Sequence, residues 1–356
     1  MKAWALGSAG WGVYEVSREA GEVSLTARAD QDADFVLSPG FVDLHIHGGY
    51  GIDTMSARPE EMIALAERLE AEGYEGWLPT TITAPATDVQ AALRRLPVHR
   101  SIWGFHLEGP FISPVFPGAQ PPEAIIDVPT GPSEWDTVLE DSRLKLITLA
   151  PERPNAMGLI GRLASRGVTV SLGHSNATFT EALAGHAAGL RHTTHTYNAM
   201  RGLHHREAGC VGFAFYQDDV TCELIYDRLH VSPAAAGVLL KIKPATGVVA
   251  VSDCTKAKGL PPGTEVDMWG HTGVVGPGDV RLAGTDTLAG SAVTLRDCFA
   301  NLWADFGPEV AVRTCTVNPR LRLGITRAPR VHLVWNRDGV LQDHWRAQED
   351  EATRTP

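Results

Sequence analysis

Gly40-Phe41-Val42-Asp43-Leu44-His45-Ile46-His47-Gly48-Gly49 is the stretch from which the rest of the chain is read. Its centre, residues 42–47, has the composition of a short strand. A period of two predicts that Phe41, Asp43, His45 and His47 point to one side and Val42, Leu44 and Ile46 to the other. Two imidazoles two residues apart on one face can hold one ion, and neutral imidazole suits zinc, iron or nickel. Taken alone, the motif fits a pair of hydrogen-bonded core histidines equally well.

Working outward, apolar strand-like runs recur at 41–47, 76–83, 102–108, 144–150, 168–172, 192–196, 221–226 and 247–252. Helix-like segments at 59–72, 87–96, 155–166, 178–188 and 232–242 separate most of them, the last opening on a Ser-Pro cap. Eight strands alternating with helices over residues 39–325 predict an α/β fold, a (β/α)8 TIM barrel. A doubly wound open sheet is the alternative, but no Gly-x-Gly-x-x-Gly follows any strand. Residues 259–287, rich in Gly and Pro, are read as a β-insert with strands at 266–269, 273–275 and 280–282; helices at 291–306 and 308–323 follow. Residues 1–38 alternate weakly, and 331–341 reads as a hairpin turning at Asp338-Gly339. The two ends, 1–38 and 326–350, are expected to pair into a small flanking β-sandwich domain, with a disordered tail at 348–356.

The 356 residues carry a formal charge of -11 and no Lys/Arg run, which argues against nucleic acid or an anionic membrane surface as partner. No stretch has the roughly 20 apolar residues of a membrane span, and the N-terminus does not read as a secretory signal, so a cytoplasmic location is expected. The five cysteines are scattered and contain no Cys-x-x-Cys, against disulfides or a thiolate zinc site.

In a barrel, chemistry gathers where strands end. Those ends carry His45 and His47, Glu108, His174, His195 and Asp253, a set of imidazoles and carboxylates that could hold metal. Individually, Glu108 could be a turn residue, Asp253 a helix cap and His174 a core histidine.

The segments Pro39-Gly40-Phe41-Val42-Asp43-Leu44-His45-Ile46-His47-Gly48, His106-Leu107-Glu108-Gly109-Pro110-Phe111, Gly173-His174-Ser175, His195-Thr196-Tyr197-Asn198-Ala199-Met200 and His204-His205-Arg206-Glu207 resemble the amidohydrolase superfamily. Within it, over roughly residues 38–325, they are most similar to the N-acetylglucosamine-6-phosphate deacetylase family. The resemblance implies one ion on Glu108, His174 and His195, and room for a second on His45 and His47 with Glu108 bridging and Asp253 nearby. One or two divalent ions per subunit are therefore expected, zinc first, with Fe, Co, Ni or Mn as alternatives. It further implies Asp253 as the general base that serves an amide hydrolysis and returns the proton to the departing amine. Arg206 would reach the phosphate of an amino-sugar phosphate bound to a neighbouring subunit, implying a homodimer. His230, Asn198 and Ala199 would hold the same phosphate end, and Ala119, Gln120, Leu288, Ala289 and Gly290 would line the sugar site. Without the surrounding motif, Arg206 reads as a surface ion pair with Glu207.

Three departures from the family pattern bear on substrate. Gln120 stands where a histidine is usual, so it can donate a hydrogen bond but carries no charge. Lys256 and Lys258 follow Asp253 in a segment usually rich in alanine and are expected to add positive charge near the site. The Ala-Asp-Leu-Val segment common near the C-terminus is absent. Three readings follow: deacetylation of N-acetylglucosamine 6-phosphate; hydrolysis of another N-acyl amino-sugar phosphate or other amide; and, in another class, a non-catalytic sugar-phosphate-binding protein.

Overall fold

The computed structural model of the chain describes residues 1–19, 22–30 and 32–347; the expectation for the tail at 348–356 lies outside them. Eight parallel strands form the centre: β1 (Phe41–Ile46), β2 (Tyr74–Pro79), β3 (Phe105–Glu108), β4 (Leu144–Leu149), β5 (Thr169–Leu172), β6 (His192–Thr193), β7 (Thr221–Ile225) and β8 (Val248–Val251). Strands β3 to β8 make one curled sheet in sequential order, and β1 pairs with β2. Parallel bridges from Trp77 to Ile102 and from Thr80 to His106 continue β2 toward β3, while one from Ile46 to Cys254 joins β1 to the segment after β8.

The helices start where local chemistry lets them. Pro59 opens Pro59–Ala71 with Glu60 and Glu61 in its first turn, and Met62, Leu65, Ala66 and Leu69 face inward at helical spacing. Thr178 and Glu181 cap Phe179–Ala188 reciprocally, and the Ser232 hydroxyl accepts from Ala235 N at the head of Pro233–Ile242.

Several expectations need correcting. Strand β1 does not keep a period of two. Asp43 pairs with Trp77 and Ile46 with Pro79, three steps against two, so the strand bulges between them. Phe41 and Ile46 therefore share the core packed against Trp77, Phe299 and Trp335, while Val42 and Leu44 join Leu78, Leu146, Ile225, Val249 and Val251. Asp43 does not join the histidine side chains: its Oδ1 accepts from the backbone N–H groups of His45 and Ser252, and its Oδ2 from the Tyr74 hydroxyl. The helix expected at 291–306 begins only at Leu295, because Ser291 closes a fourth insert strand and a Thr294–Asp297 capping box sets the start. The expected 308–323 helix is divided into Pro308–Val312, a wider turn at Arg313–Val317 and Asn318–Arg322, where Pro319 removes a donor. Gly209–Tyr216, unforeseen, is a helix buried along most of its length.

The insert is a four-stranded antiparallel sheet of Glu265–Met268, His271–Val275, Asp279–Leu282 and Leu288–Ser291. Both chain ends meet in a separate β-rich layer: Leu341–Arg346, Val331–Asn336, Phe35–Pro39, Lys2–Gly7, Gly10–Glu19 and Glu22–Ala27 lie side by side in that order. Its junction with the parallel strands is aromatic, with Trp335 stacked 4.6 Å from Phe299 and Phe41 edge-on to Phe299 at 5.2 Å. A buried Arg320–Glu75 ion pair at 2.7 Å adds a polar tie beside it. All five cysteines are free and buried, and among the described residues no helix is long and apolar enough to cross a membrane.

Candidate metal centre

Three of the six candidate ligands sit two residues past a strand's end in the left-handed region: His174 after β5 (φ 47°), His195 after β6 (φ 31°) and Asp253 after β8 (φ 50°). Side chains other than glycine avoid this region unless the surroundings hold them there, and such strain clusters at functional sites. His45 comes from β1, whose bulge restores it to the side that faces the other ligands, and His47 directly follows the strand. Glu108 is the last residue of β3.

These side chains converge in two groups, His45 with His47 and Asp253, and Glu108 with His174 and His195, and within each group the donor atoms lie within 4.8 Å of one another. Glu108 stands between them. Its Oε1 lies 3.2 Å from His174 Nε2, 3.3 Å from His195 Nε2 and 3.4 Å from His45 Nε2. Its Oε2 lies 3.2 Å from His47 Nε2. Asp253 Oδ1 is 3.5 and 3.4 Å from the Nε2 atoms of His45 and His47.

The donor set fits a cation. Nε2 atoms face one another in pairs, 3.2 Å apart for His45 and His47 and 3.0 Å for His174 and His195. Three of the four opposite nitrogens face acceptors: His45 Nδ1 donates to Glu223 Oε2 (3.1 Å), His47 Nδ1 to the Thr80 carbonyl (3.2 Å) and His174 Nδ1 to the Phe116 carbonyl (3.0 Å), while His195 Nδ1 has no protein partner among the described residues. Neutral rings so anchored turn lone pairs toward each other and toward two carboxylates, an arrangement that positive charge reconciles. Without an ion, protons supply that charge. Burial pushes the His47 imidazolium down, but Asp253 and Glu108 outweigh it and hold the pKa at about 9; His45 is raised well above its ordinary value against the same burial penalty. Burial likewise pushes the carboxyls of Glu108 and Asp253 up, and the histidines outweigh it, so both stay below the usual range and ionised.

The groups open into a cavity of about 450 Å3. Ala119, Gln120, Asn198, Ala199, His230, Leu288 and Gly290 reach its lining. Ala289 does not; it is buried among Ala257, Met268, Val275 and Val280 of the insert. Nor does Arg206, which lies exposed with its guanidinium 3.0 Å from His205 Nε2. Glu207 is no partner for it, because that carboxylate accepts from the backbone N–H groups of Phe179 and Gly209. Lys256 and Lys258 bring no free charge: the first faces Asp53 and Asp267, the second Asp297, and neither lines the cavity. Gln120 is already engaged. Its Oε1 accepts from Thr83 N (2.7 Å) and its Nε2 donates to Glu108 Oε2 (2.6 Å). His230 donates from Nδ1 to Asp227 Oδ2 at 2.6 Å, and this partner outweighs burial to raise its pKa.

Sequence reasoning missed Glu223. It is fully buried on β7; its Oε2 accepts from His45 Nδ1 and His195 N, and its Oε1 faces His192 Nε2 at 3.1 Å. The signal was present as one carboxylate in the apolar run Thr221-Cys222-Glu223-Leu224-Ile225. A buried charge there demands partners.

Curled parallel strands with imidazoles and carboxylates at their ends define a metal-dependent hydrolase class, and the chain belongs to the Amidohydrolase family, whose sequence model matches residues 36–328. It is 35% identical over 318 residues to the N-acetylgalactosamine-6-phosphate deacetylase of Escherichia coli O157:H7, covering 85% of this chain and 81% of that one. It is also 35% identical over 304 residues to the N-acetylglucosamine-6-phosphate deacetylase of Bacillus subtilis (strain 168), covering 80% and 74%. The crystal structure of N-acetylglucosamine-6-phosphate deacetylase from Thermotoga maritima superposes with a TM-score of 0.85 at 30% identity over 97% of each chain. A variant of the Mycobacterium smegmatis enzyme in complex with N-acetyl-D-glucosamine-6-phosphate gives 0.85 at 29% identity over 98% of each. The resemblance read from the motifs is borne out.

Proposed function

We propose that this chain is a metal-dependent deacetylase that converts N-acetylglucosamine 6-phosphate to glucosamine 6-phosphate and acetate. The observation that carries the reading is the facing Nε2 pairs with Glu108 between them at the floor of a cavity. Relatives named as deacetylases of N-acetylated hexosamine 6-phosphates supply the substrate class.

His174 and His195 with Glu108, and His45 and His47 with Asp253, would hold one or two divalent ions, zinc first among Zn, Fe, Co, Ni and Mn. When bound, such an ion polarises the amide carbonyl and lowers the pKa of water. Asp253, ionised and aimed into the cavity, takes a proton from the attacking water and returns it to the amine nitrogen as the C–N bond breaks. Glu223 fixes the His45 ring by holding its Nδ1 proton. Asn198, Ala199 and His230, whose pKa Asp227 raises against burial, receive the sugar-phosphate end, with Ala119, Leu288 and Gly290 along the sugar. Arg206, exposed and free of a carboxylate partner among the described residues, is assigned to the phosphate in a neighbouring subunit of a homodimer.

We further propose that β1 to β8 close into a complete (β/α)8 barrel spanning 39–325. Support comes from the bridges flanking β2 and β1 and from Asp253 N donating to the His45 carbonyl at 2.9 Å. Of residues 1–38 and 326–350, those described form the second domain, whose sheet curls into a sandwich; Arg18 over Trp345 at 5.6 Å, from strands with three others between them, supports the curl. A cytoplasmic location completes the reading.

A second substrate, N-acetylgalactosamine 6-phosphate, is favoured by the equal identity to the Escherichia coli relative. Acetate release from both epimers by metal-loaded protein tests the reading. Turnover of the glucosamine epimer with the higher kcat/KM supports it; preference for the other epimer moves the assignment to that sugar; release from neither overturns it.

A further inference from the structure

Trp269 sits where its residue type is least expected. Met268 pairs with His271, so Trp269 and Gly270 are the two central residues of a tight hairpin turn at the tip of the insert, with φ of 55° and 91°. Both angles positive is the signature of the turn that favours Asn-Gly, and a bulky side chain there is strained. The indole lies against the candidate ligand His47, ring centroids 5.2 Å apart and planes at 63°. Trp269 and Ile82 are also the two lining residues common to the metal-centre cavity and a neighbouring cavity of about 660 Å3. The second cavity continues along Ala84, Pro85 and Ala91, with Asp88, Arg95 and Glu123 also in its lining.

We propose that Trp269 sets the length of the N-acyl group this site accepts, a role that rests on the amide-hydrolase reading above. The scissile carbonyl must lie at the donor set, and the sugar and phosphate extend toward Asn198, Ala199 and His230. The acyl chain is the part of the substrate that continues past the carbonyl, away from the sugar. On the His47 side it meets the indole and Ile82, a wall that fits a methyl group and blocks a longer chain. Removing the indole joins the two cavities and gives a propionyl or butyryl chain room to extend past Ile82. The reaction is unchanged: water oxygen bonds to the acyl carbon, the C–N bond breaks, and a carboxylate and an amine leave. A pocket discriminates one methylene by about 10- to 200-fold, so the wall is worth about that factor for each carbon added.

The test compares N-acetyl-, N-propionyl- and N-butyryl-glucosamine 6-phosphate as substrates of metal-loaded wild type, Trp269→Asn and Trp269→Phe, with melting temperatures measured on the same preparations. Asparagine suits the turn, so Trp269→Asn is expected to melt no lower than wild type while the propionyl-to-acetyl ratio of kcat/KM rises about tenfold or more. Trp269→Phe, which keeps a ring in place, is expected to retain most of the wild-type preference. An unchanged ratio in a folded Trp269→Asn protein overturns the assignment and leaves the deacetylase reading standing. So does wild-type protein that cleaves all three acyl groups equally. Cleavage of none by wild type overturns the amide-hydrolase reading, and this proposal falls with it.

Discussion

Glu223→Gln separates the account of the metal centre from a simple inventory of ligands, because Glu223 would touch no ion itself. Its carboxylate accepts from three groups at once: His45 Nδ1 at 3.1 Å and His195 N at 3.0 Å through Oε2, with His192 Nε2 facing Oε1 at 3.1 Å. A glutamine has one oxygen and one NH2. If the oxygen keeps His45 and His195, the NH2 faces His192, which must move its proton to an Nδ1 that has no protein partner. If the NH2 faces His45, the proton shifts to Nε2 and blocks the lone pair aimed at Glu108 and Asp253. Either way the negative charge that stabilises a metallated His45 is gone. Loss of such an outer partner weakens metal binding by about 10- to 100-fold, or roughly 1.4 to 2.7 kcal/mol. Competition with a chelator, with bound metal quantified by elemental analysis, reads the affinity directly, and circular dichroism establishes that the variant is folded. Wild-type affinity in folded Glu223→Gln would refute the claim that this carboxylate orients a ligand.

Other perturbations test separate parts. Asp253→Asn is expected to lower kcat by about 10²- to 10⁴-fold while metal stays bound at the Glu108, His174 and His195 group, which elemental analysis and steady-state kinetics check together. Gln120→Leu removes the Nε2 donor to Glu108 Oε2 and the acceptor of Thr83 N; metal affinity is expected to fall about tenfold or more, read by the same chelator competition. His332, on the strand paired with Phe35–Pro39, has its pKa depressed to about 4 by burial and by Arg320 and Arg18. A depressed imidazole favours the fold when neutral, so its contribution is complete above the ordinary value of 6.5 and is lost as pH falls toward 4. By pH 5 the loss is about 2 kcal/mol; His332→Gln is expected to lose less stability than wild type between pH 7 and 5, measured by chemical denaturation. Trp335→Ala, at the aromatic junction, is expected to cost about 3–5 kcal/mol, seen as a lower melting temperature.

What was legible followed from where each signal lives. The alternation of apolar runs with capped helices is local, and it gave the order of the parallel strands and of helices such as Pro59–Ala71. The candidate ligands were legible because strand ends collect chemistry, whatever the intervening loops do. The bulge in β1 was not, since an extra residue leaves no mark in a pattern read with a period of two. Gly209–Tyr216 escaped because a helix surrounded by protein has no polar face to give it a period. The fourth insert strand, Leu288-Ala289-Gly290-Ser291, lacks β-branched residues altogether. Glu223 was visible as a misfit, a charge inside a strand, whereas Trp269 was read as the end of a strand at 266–269 and its place in a tight turn was not legible. What each residue does depends on contacts with residues far away in the chain.

The most direct measurement is a titration of metal-free protein with zinc, following acetate release from N-acetylglucosamine 6-phosphate at each step. The account predicts no release without metal, and activity that rises with added ion and saturates at one or two ions per chain. Full activity in protein shown by elemental analysis to be metal-free would contradict it.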